Sequence, residues 1–361
     1  MKKHLITFIF SLLALPSICQ ETEFKQYEES IKSSRSDEDF RIAFYNCENL
    51  FDLKDDSLKR DEDFTPEGSY KYTYDRYKKK SNGIAKTIAA LGGWRPAEIV
   101  GLCEVENYWV LEGLTKFSPI ENIGYQIIHQ ESPDRRGIDI ACIYDPQRFN
   151  LILYKYFRVR FPFDPSRTTR DILYVKGIAA NTDTLHLFFN HWPSRYGGQF
   201  ASEPSRIFVA DLLKSKVDSL NERFQNPLIV IAGDFNDEPD DLSMSDHLKV
   251  KNPANEYSND NLVNLMFPVK FKYGTHSFAG EWGVLDQFIV SATLLQTNNN
   301  KIWTKPNFVG IFNAPWLLKK NAANNDVPHR TFQGPAYKGG YSDHLPIFLD
   351  LRIAGKEKSA P

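Results

Sequence analysis

Leu228-Ile229-Val230-Ile231-Ala232-Gly233-Asp234-Phe235-Asn236 is the stretch on which the fold reading turns. Leu228–Ala232 is apolar without interruption, the pattern of a strand covered on both faces. It ends abruptly in a carboxylate and an amide. Taken alone, such an ending reads as a plain turn, since Gly, Asp and Asn all favour one. The same arrangement recurs along the chain, however. Arg41–Phe44 leads into Tyr45-Asn46-Cys47-Glu48-Asn49, Ile99–Cys103 into Glu104, and Leu185–Phe189 into Asn190-His191. Asp286 lies within Val284–Val290, and Ser342-Asp343-His344 precedes Leu345–Leu351. In open sheets, residues beyond strand ends converge on a crevice where ligands bind.

Working outward, strands are also expected at Tyr125–His129, Ile138–Tyr144, Leu151–Val159 and Ile172–Ile178. Tyr77, Ile84, Ile88 and Leu91 recur at helical spacing within Tyr70–Leu91, and Gly92-Gly93 stops that helix. A second helix is expected from Glu203 to Phe224, with Pro204 in its first turn and Ile207, Leu213, Val217 and Leu220 on its apolar side. Residues 52–69 read as an acidic surface loop, and 297–341 as a long Pro/Asn/Gly-rich stretch. Many strands with so few long helices argue for a layered α/β (α+β) sandwich and against an alternating doubly wound sheet. Polar bursts at both ends of the chain favour one domain over residues 40–353.

The N-terminus reads as an export signal over residues 1–19. Lys2 and Lys3 precede the apolar run Leu5–Leu15, which is too short to span a bilayer but suits a signal-peptide core. Cleavage after Cys19 is expected, with lipid attachment at Cys19 the minority alternative because Ile18 is bulky for such a site. A polar linker follows over 20–39, and 354–361 form a tail. No other stretch is long and apolar enough to cross a membrane. Cys47, Cys103 and Cys142 lie in apolar runs without CxxC spacing, so free core thiols are expected rather than disulfides or zinc. With 42% apolar and 25% charged residues the chain has the composition of a globular protein. Its formal charge of −2 includes no basic tail or stripe, so tight, sequence-indifferent duplex binding is not advertised. Nothing points to an obligate protein partner.

Carboxylate and amide oxygens without clustered cysteines suit Mg²⁺, Mn²⁺ or Ca²⁺. Histidines with carboxylate partners suit proton transfer near neutral pH. Together they point to hydrolysis of a phosphate ester by activated water.

In order and spelling, the bursts resemble the endonuclease/exonuclease/phosphatase superfamily, over Arg41 to Leu351. Gly233-Asp234-Phe235-Asn236 and Ser342-Asp343-His344-Leu345-Pro346-Ile347 carry the resemblance most strongly. It implies a four-layer, deoxyribonuclease I-like sandwich with the site between the edges of two packed sheets. It also implies that Glu104 and Asn46 hold the metal, with Glu48 and Asp343 in support. Asp234 and Asn236 would orient water and phosphate, His344 would be tuned by Asp286, and His191 would contact the scissile phosphate. Cys103 and Glu48 depart from the commonest family spelling, which leaves metal number open. His191 replaces the Tyr of the apurinic-site repair branch, which argues against DNA repair.

Phosphate also calls for cations, and Arg195, Arg170 and Arg330 are among the candidates. Arg195 leads them, because Gly197-Gly198 permits close backbone approach. Trp192, Tyr196, Trp282 and Tyr341 could stack on a base, although core filling is the plainer reading. The expected activity is an exported phosphodiesterase acting on nucleic acid or nucleotides. A lipid or sugar-phosphate phosphoesterase is the alternative within the same chemistry, and a non-catalytic binding module the alternative of another class.

Overall fold

The computed structural model describes residues 39–270, 274–297 and 300–354, together with Arg35. The expected leader and tail therefore lie outside the described residues except for Ala354. So does the linker, except for Arg35 and for Asp39, which already belongs to the first strand.

In chain order the first half supplies β1 (Asp39–Leu50), α1 (Tyr74–Gly92), β2 (Ile99–Val105), α2 (Tyr108–Lys116), β3 (Gln126–His129) and β4 (Asp139–Tyr144). Next come β5 (Phe149–Phe157), β6 (Ile172–Ala179), β7 (Asp183–His191), α3 (Gln199–Arg223) and β8 (Leu228–Asp234). Short strands β9 (Val250–Lys251) and β10 (Leu262–Asn264) precede the hairpin β11 (His276–Phe278) and β12 (Glu281–Gly283). The chain continues through β13 (Asp286–Ser291), β14 (Ile302–Trp303), β15 (Val309–Ile311) and β16 (Ile347–Ile353). Between β15 and β16, Leu318–Lys320 pairs with Asp326–Pro328, and Phe332–Gln333 with Ala336–Tyr337.

These strands build two large mixed sheets. The first runs β14-β16-β1-β2-β4-β3, with β15 also on β16, and the second β5-β6-β7-β8-β13-β10-β9. β1 and β2 are parallel at the middle of one sheet, as are β7 and β8 in the other. The unbroken apolar run of β8 follows from its place between α3 and the first sheet. Side chains alternate across a strand. Ile229 and Ile231 pack in one cluster with Val209, Ala210, Leu213 and Val217 of α3. Val230, Ala232 and Asp234 accordingly face the other way. The same alternation on β7 turns Phe189 and His191 inward. Gly101 of β2 lets the sheets approach there, because a Cβ on it would sit 2.2 Å from the Phe189 ring.

On the outer face of the first sheet, buried Arg41 forms a two-pronged pair with Asp350, Nε–Oδ1 and Nη2–Oδ2 both 2.7 Å. Its Nη1 reaches the Leu91 carbonyl of α1 at 2.5 Å. Helices thus flank packed sheets, as the sequence led us to expect. Two expectations need correction. α3 begins at Gln199, so Pro204 lies inside the helix and not in its first turn. Its missing N–H leaves the Phe200 carbonyl without a helical donor, which is tolerable at an 87% exposed residue where water can serve. The stretch 297–341 is not featureless, since it holds β14, β15 and both short ladders.

Candidate active site

The inward-facing polar residues meet where the two sheets adjoin. Asn46, Glu48, Glu104, His191 and Asp234 lie within the ends of the strands, because β1, β2, β7 and β8 each continue into their polar burst, whereas Asn236, Asp343 and His344 lie beyond them. β1 and β2 keep pairing through irregular stretches, with register shifts between Asn46 and Leu50 and between Cys103 and Val105. There Glu48, Asn49 and Glu104 adopt φ of 44°, 61° and 57°. That left-handed region costs a residue with a side chain roughly 1–2 kcal/mol. The strain is held in place by local bonds. The Glu48 N–H donates to Asn46 Oδ1 at 2.9 Å, and the Asn49 N–H to Glu104 Oε2 at 3.0 Å. Its effect is to re-aim Glu104, which strict alternation after inward Cys103 would turn outward.

From the second sheet, Asp234 reaches across to the first. Its Oδ2 accepts from Asn46 Nδ2 at 3.0 Å, and its Oδ1 from the Asn236 N–H at 3.0 Å. Asn236 has φ 52° and donates its amide to the Trp192 carbonyl at 3.1 Å. His191 places Nε2 between Glu104 Oε1 at 3.7 Å and Asp234 Oδ2 at 3.6 Å. His344 closes the cluster, with Nδ1 2.7 Å from Asp286 Oδ2 and Nε2 3.8 Å from Asp234 Oδ2. Ser342 and Thr275 fix this corner. Ser342 Oγ donates to the Asn46 carbonyl at 2.7 Å and accepts the His344 N–H at 3.0 Å. Thr275 Oγ1 accepts the Asp286 N–H at 3.0 Å, while its carbonyl accepts the Leu345 N–H at 2.7 Å.

The two histidines are tuned in opposite directions. Burial pulls the His344 imidazole down, but Asp286, Asp234 and Asp343 overcome it and hold the ring protonated well above its ordinary range. Burial lowers His191 far below the usual histidine value, and the neighbouring Arg170, Arg136 and His344 charges add to it, so His191 is neutral. Burial, with Asp286 and Glu104 nearby, pushes Asp234 up to about 7 although His344 opposes it. Glu48 is likewise pushed up to about 7, by burial and then by Asp343.

Five acidic side chains thus crowd one site, and their donors suit a hard divalent cation, being carboxylate and amide oxygens with no thiolate. Glu104 leaves Oε1 free of hydrogen bonds among the described residues, so its open lone pairs suit a ligand. Glu48 and Asp343 are partly neutralised from within. Arg330 donates Nε to Glu48 Oε1 and Nη2 to Asp343 Oδ2, each at 3.0 Å, and the Thr331 N–H takes Glu48 Oε2 at 2.8 Å.

Asn46, Glu48, Glu104, His191, Asp234, Asn236, Asp286, Asp343 and His344 therefore come together. The two arginines expected at the substrate are committed within the protein. Arg195 donates Nε to the Asn236 carbonyl at 2.7 Å and Nη2 to Asp241 Oδ2 at 2.7 Å, bracing the turn after β8. Arg170 is buried, donating to Asp134 Oδ2 at 2.9 Å and to the Trp192 carbonyl at 2.5 Å. Trp192 is core, packed edge-on against Phe235.

Lys80 was missed. Its buried ammonium donates to the Glu48 and Tyr341 carbonyls at 2.7 and 2.9 Å and to Thr331 Oγ1 at 2.5 Å, tying α1 to both acidic loops. A lysine on the same helical stripe as Tyr77, Ile84 and Ile88 was the available signal. The capped helix α2 was also missed, although Asn107 announces it by accepting the Val110 N–H at 3.1 Å. Cys47, Cys103 and Cys142 are buried free thiols, as expected.

Residues 41–353 match the model of the Endonuclease/Exonuclease/phosphatase family. Solved structures are similar in fold. TDP2 of D. rerio, complexed with single strand DNA product, has a TM-score of 0.54 at 11% identity, covering 88% of this chain and 100% of that one. An endonuclease/exonuclease/phosphatase family protein from Bacteroides thetaiotaomicron has 0.52 at 16% identity, covering 87% and 95%. The human Nocturnin catalytic domain with bound sulfate anion has 0.51 at 16% identity, covering 88% and 95%. No curated protein matches the sequence.

Proposed function

The chain belongs to the endonuclease/exonuclease/phosphatase family, and from that premise we propose that it is an exported, divalent-metal-dependent phosphodiesterase acting on nucleic acid or nucleotides. The observation that carries the reading is the junction of the two sheets. There Asn46 donates to Asp234 at 3.0 Å, beside a His344–Asp286 pair at 2.7 Å and an open Glu104 carboxylate. The single strand DNA product in the D. rerio TDP2 structure supports nucleic acid as the substrate class. Export rests on Lys2, Lys3 and the run Leu5–Leu15.

Glu104 and Asn46 would hold the cation, with Glu48 and Asp343 on the Arg330 side. Bound there, Mg²⁺ or Mn²⁺ would polarise a phosphoryl oxygen. The remaining chemistry belongs to the side chains. Asp234, fixed by Asn46 and the Asn236 N–H and pushed up to about 7, is placed to accept the proton of an attacking water. Protonated His344 presents an Nε2–H to charge building on the phosphoryl oxygens, while Asp286 fixes its ring and tautomer. His191 is neutral and faces the same space, where an N–H can bond a phosphate oxygen. Arg195 supports Asn236 through its carbonyl.

A second reading has one observation in its favour. Tyr196 and Phe200, 93% and 87% exposed, follow the His191 strand and would suit a lipid–water boundary. Both readings are tested by incubating the mature chain with plasmid DNA, an oligonucleotide and sphingomyelin vesicles, in Mg²⁺, Mn²⁺ or EDTA. Metal-dependent cleavage of DNA supports the nuclease assignment. Turnover of the vesicles alone moves it to lipid, and no turnover of any substrate by folded protein overturns it.

A further inference from the structure

Beside the carboxylates lies a half-open cleft of about 70 Å³, lined by Glu48, Asn49, Arg330, Phe64, Tyr70 and Phe332. The aromatic wall is a continuous cluster. Phe64 and Tyr70 have ring centroids 4.7 Å apart, and Tyr70 and Phe332 4.6 Å. Two unrelated chain segments supply it, the loop after β1 and the ladder 332–337, so neither wall exists without the fold.

We propose that this cleft is a nucleobase subsite, in which the base next to the scissile phosphate lies against the Tyr70–Phe64–Phe332 wall while Arg330 faces its phosphate. The inference rests on the phosphodiesterase reading and specifies its substrate: a nucleoside phosphate unit, recognised through its base. Four features carry it. The wall is aromatic rather than aliphatic, and rings stack with any base, each stack contributing about 1–3 kcal/mol. Phe64 and Tyr70 are only half-buried, while Phe332 is buried. The Arg330 side chain is 42% exposed, and its Nη1 has no partner among the described residues while Nε and Nη2 hold Glu48 and Asp343. It therefore links the cleft to the catalytic carboxylates and keeps a donor for a phosphate oxygen. Last, two further cations lie near Arg330, since burial and then the charges of Lys338 and Arg330 lower the Lys319 ammonium below its ordinary range. The Lys338 N–H bonds the Thr331 carbonyl next to Arg330, and Lys319 lies in the ladder whose other strand ends two residues before Arg330.

The core-filling alternative is that these rings only seal the acidic loop. Calorimetric titration of the whole chain, in Mg²⁺, with adenosine 5′-monophosphate and ribose 5-phosphate separates the two. The ligands share sugar and phosphate and differ in the base. The proposal predicts at least tenfold tighter binding of the nucleotide. Tyr70→Ala should erase that preference while leaving ribose 5-phosphate affinity within twofold, and Tyr70→Phe should retain it. Equal affinity for the two ligands in wild-type protein overturns the subsite, as does a Tyr70→Ala variant, folded by thermal melt, that keeps the preference. Binding is read without turnover, so an inactive protein that still prefers the nucleotide would refute the phosphodiesterase reading and leave the subsite standing.

Discussion

His344 Nδ1 lies 2.7 Å from Asp286 Oδ2, although the two residues are 58 positions apart in sequence. The pair joins the loop before β16 to the first residue of β13, so it is created by the packing of one sheet on the other. Asp286 keeps His344 charged and fixes which nitrogen faces the substrate space.

Asp286→Asn should therefore lower kcat by about 10²–10⁴-fold, the usual worth of a positioned acid–base group, with a smaller change in KM. Because both residues act as one unit, His344→Ala combined with Asp286→Asn should cost little more than His344→Ala alone. Steady-state kinetics on the four-member cycle checks this, and additive losses would separate the two residues.

Glu104 combines strain with its proposed role as a metal ligand. At φ 57° a glycine is relieved of the steric penalty. Glu104→Gly is expected to hold or raise thermal stability, by up to about 1 kcal/mol, while divalent-ion affinity falls more than tenfold. Melting curves and Mn²⁺ titration of the same variant read both effects. A variant that binds Mn²⁺ normally would remove Glu104 from the metal site.

Arg330 is the built-in counter-charge of Glu48 and Asp343. Arg330→Ala leaves Glu48 buried with one counter-charge removed, at a cost of about 1–2 kcal/mol after allowing for the solvent exposure of the arginine. Divalent cation should restore more stability to this variant than to wild type, since binding to the folded state alone shifts the melting point. Thermal shift against Mg²⁺ concentration measures the difference, and identical shifts would count against cation binding on the Arg330 side.

Far from the site, His186 supplies a pH signature. Burial, with Lys176 opposite it on β6, holds the ring down to about 4, and its Nδ1 lies 2.6 Å from Tyr174 Oη. The unfolded chain binds the proton below about 6.5 and the folded chain only near 4. Stability contributed by neutral His186 is thus present above 6.5 and lost as pH falls through that window, by up to about 3 kcal/mol. Denaturant unfolding between pH 7 and 4 should show a shallower slope for His186→Gln, which keeps an acceptor for Tyr174.

Where the sequence was legible, a short-range signal marked the place. The uninterrupted Leu228–Ala232 run revealed a strand covered on both faces, and its abrupt end at Asp234 marked the site. Six such endings sufficed for the sandwich and for nine residues that do converge. What stayed hidden depends on distance or backbone strain. Nothing in Cys103-Glu104-Val105 declares the bulge that re-aims Glu104. Arg195 and Arg170 looked available because a sequence does not disclose Asp241 or Asp134 as their partners. Lys80 reads as helix surface until α1 is seen to press it against Glu48 and Tyr341. Arg330 meets Glu48 across 282 residues, a separation over which no local pattern speaks.

The central claim, that the junction of the sheets is a metal-dependent phosphodiesterase centre, is tested most directly by initial rates on bis-p-nitrophenyl phosphate. Wild type, Glu104→Gln and His344→Ala should be compared in Mg²⁺, Mn²⁺ and EDTA. The account predicts turnover by wild type in either metal, loss in EDTA, and a fall of at least a hundredfold in each variant. Undiminished turnover in both variants, or folded wild type inert in every metal, would contradict it.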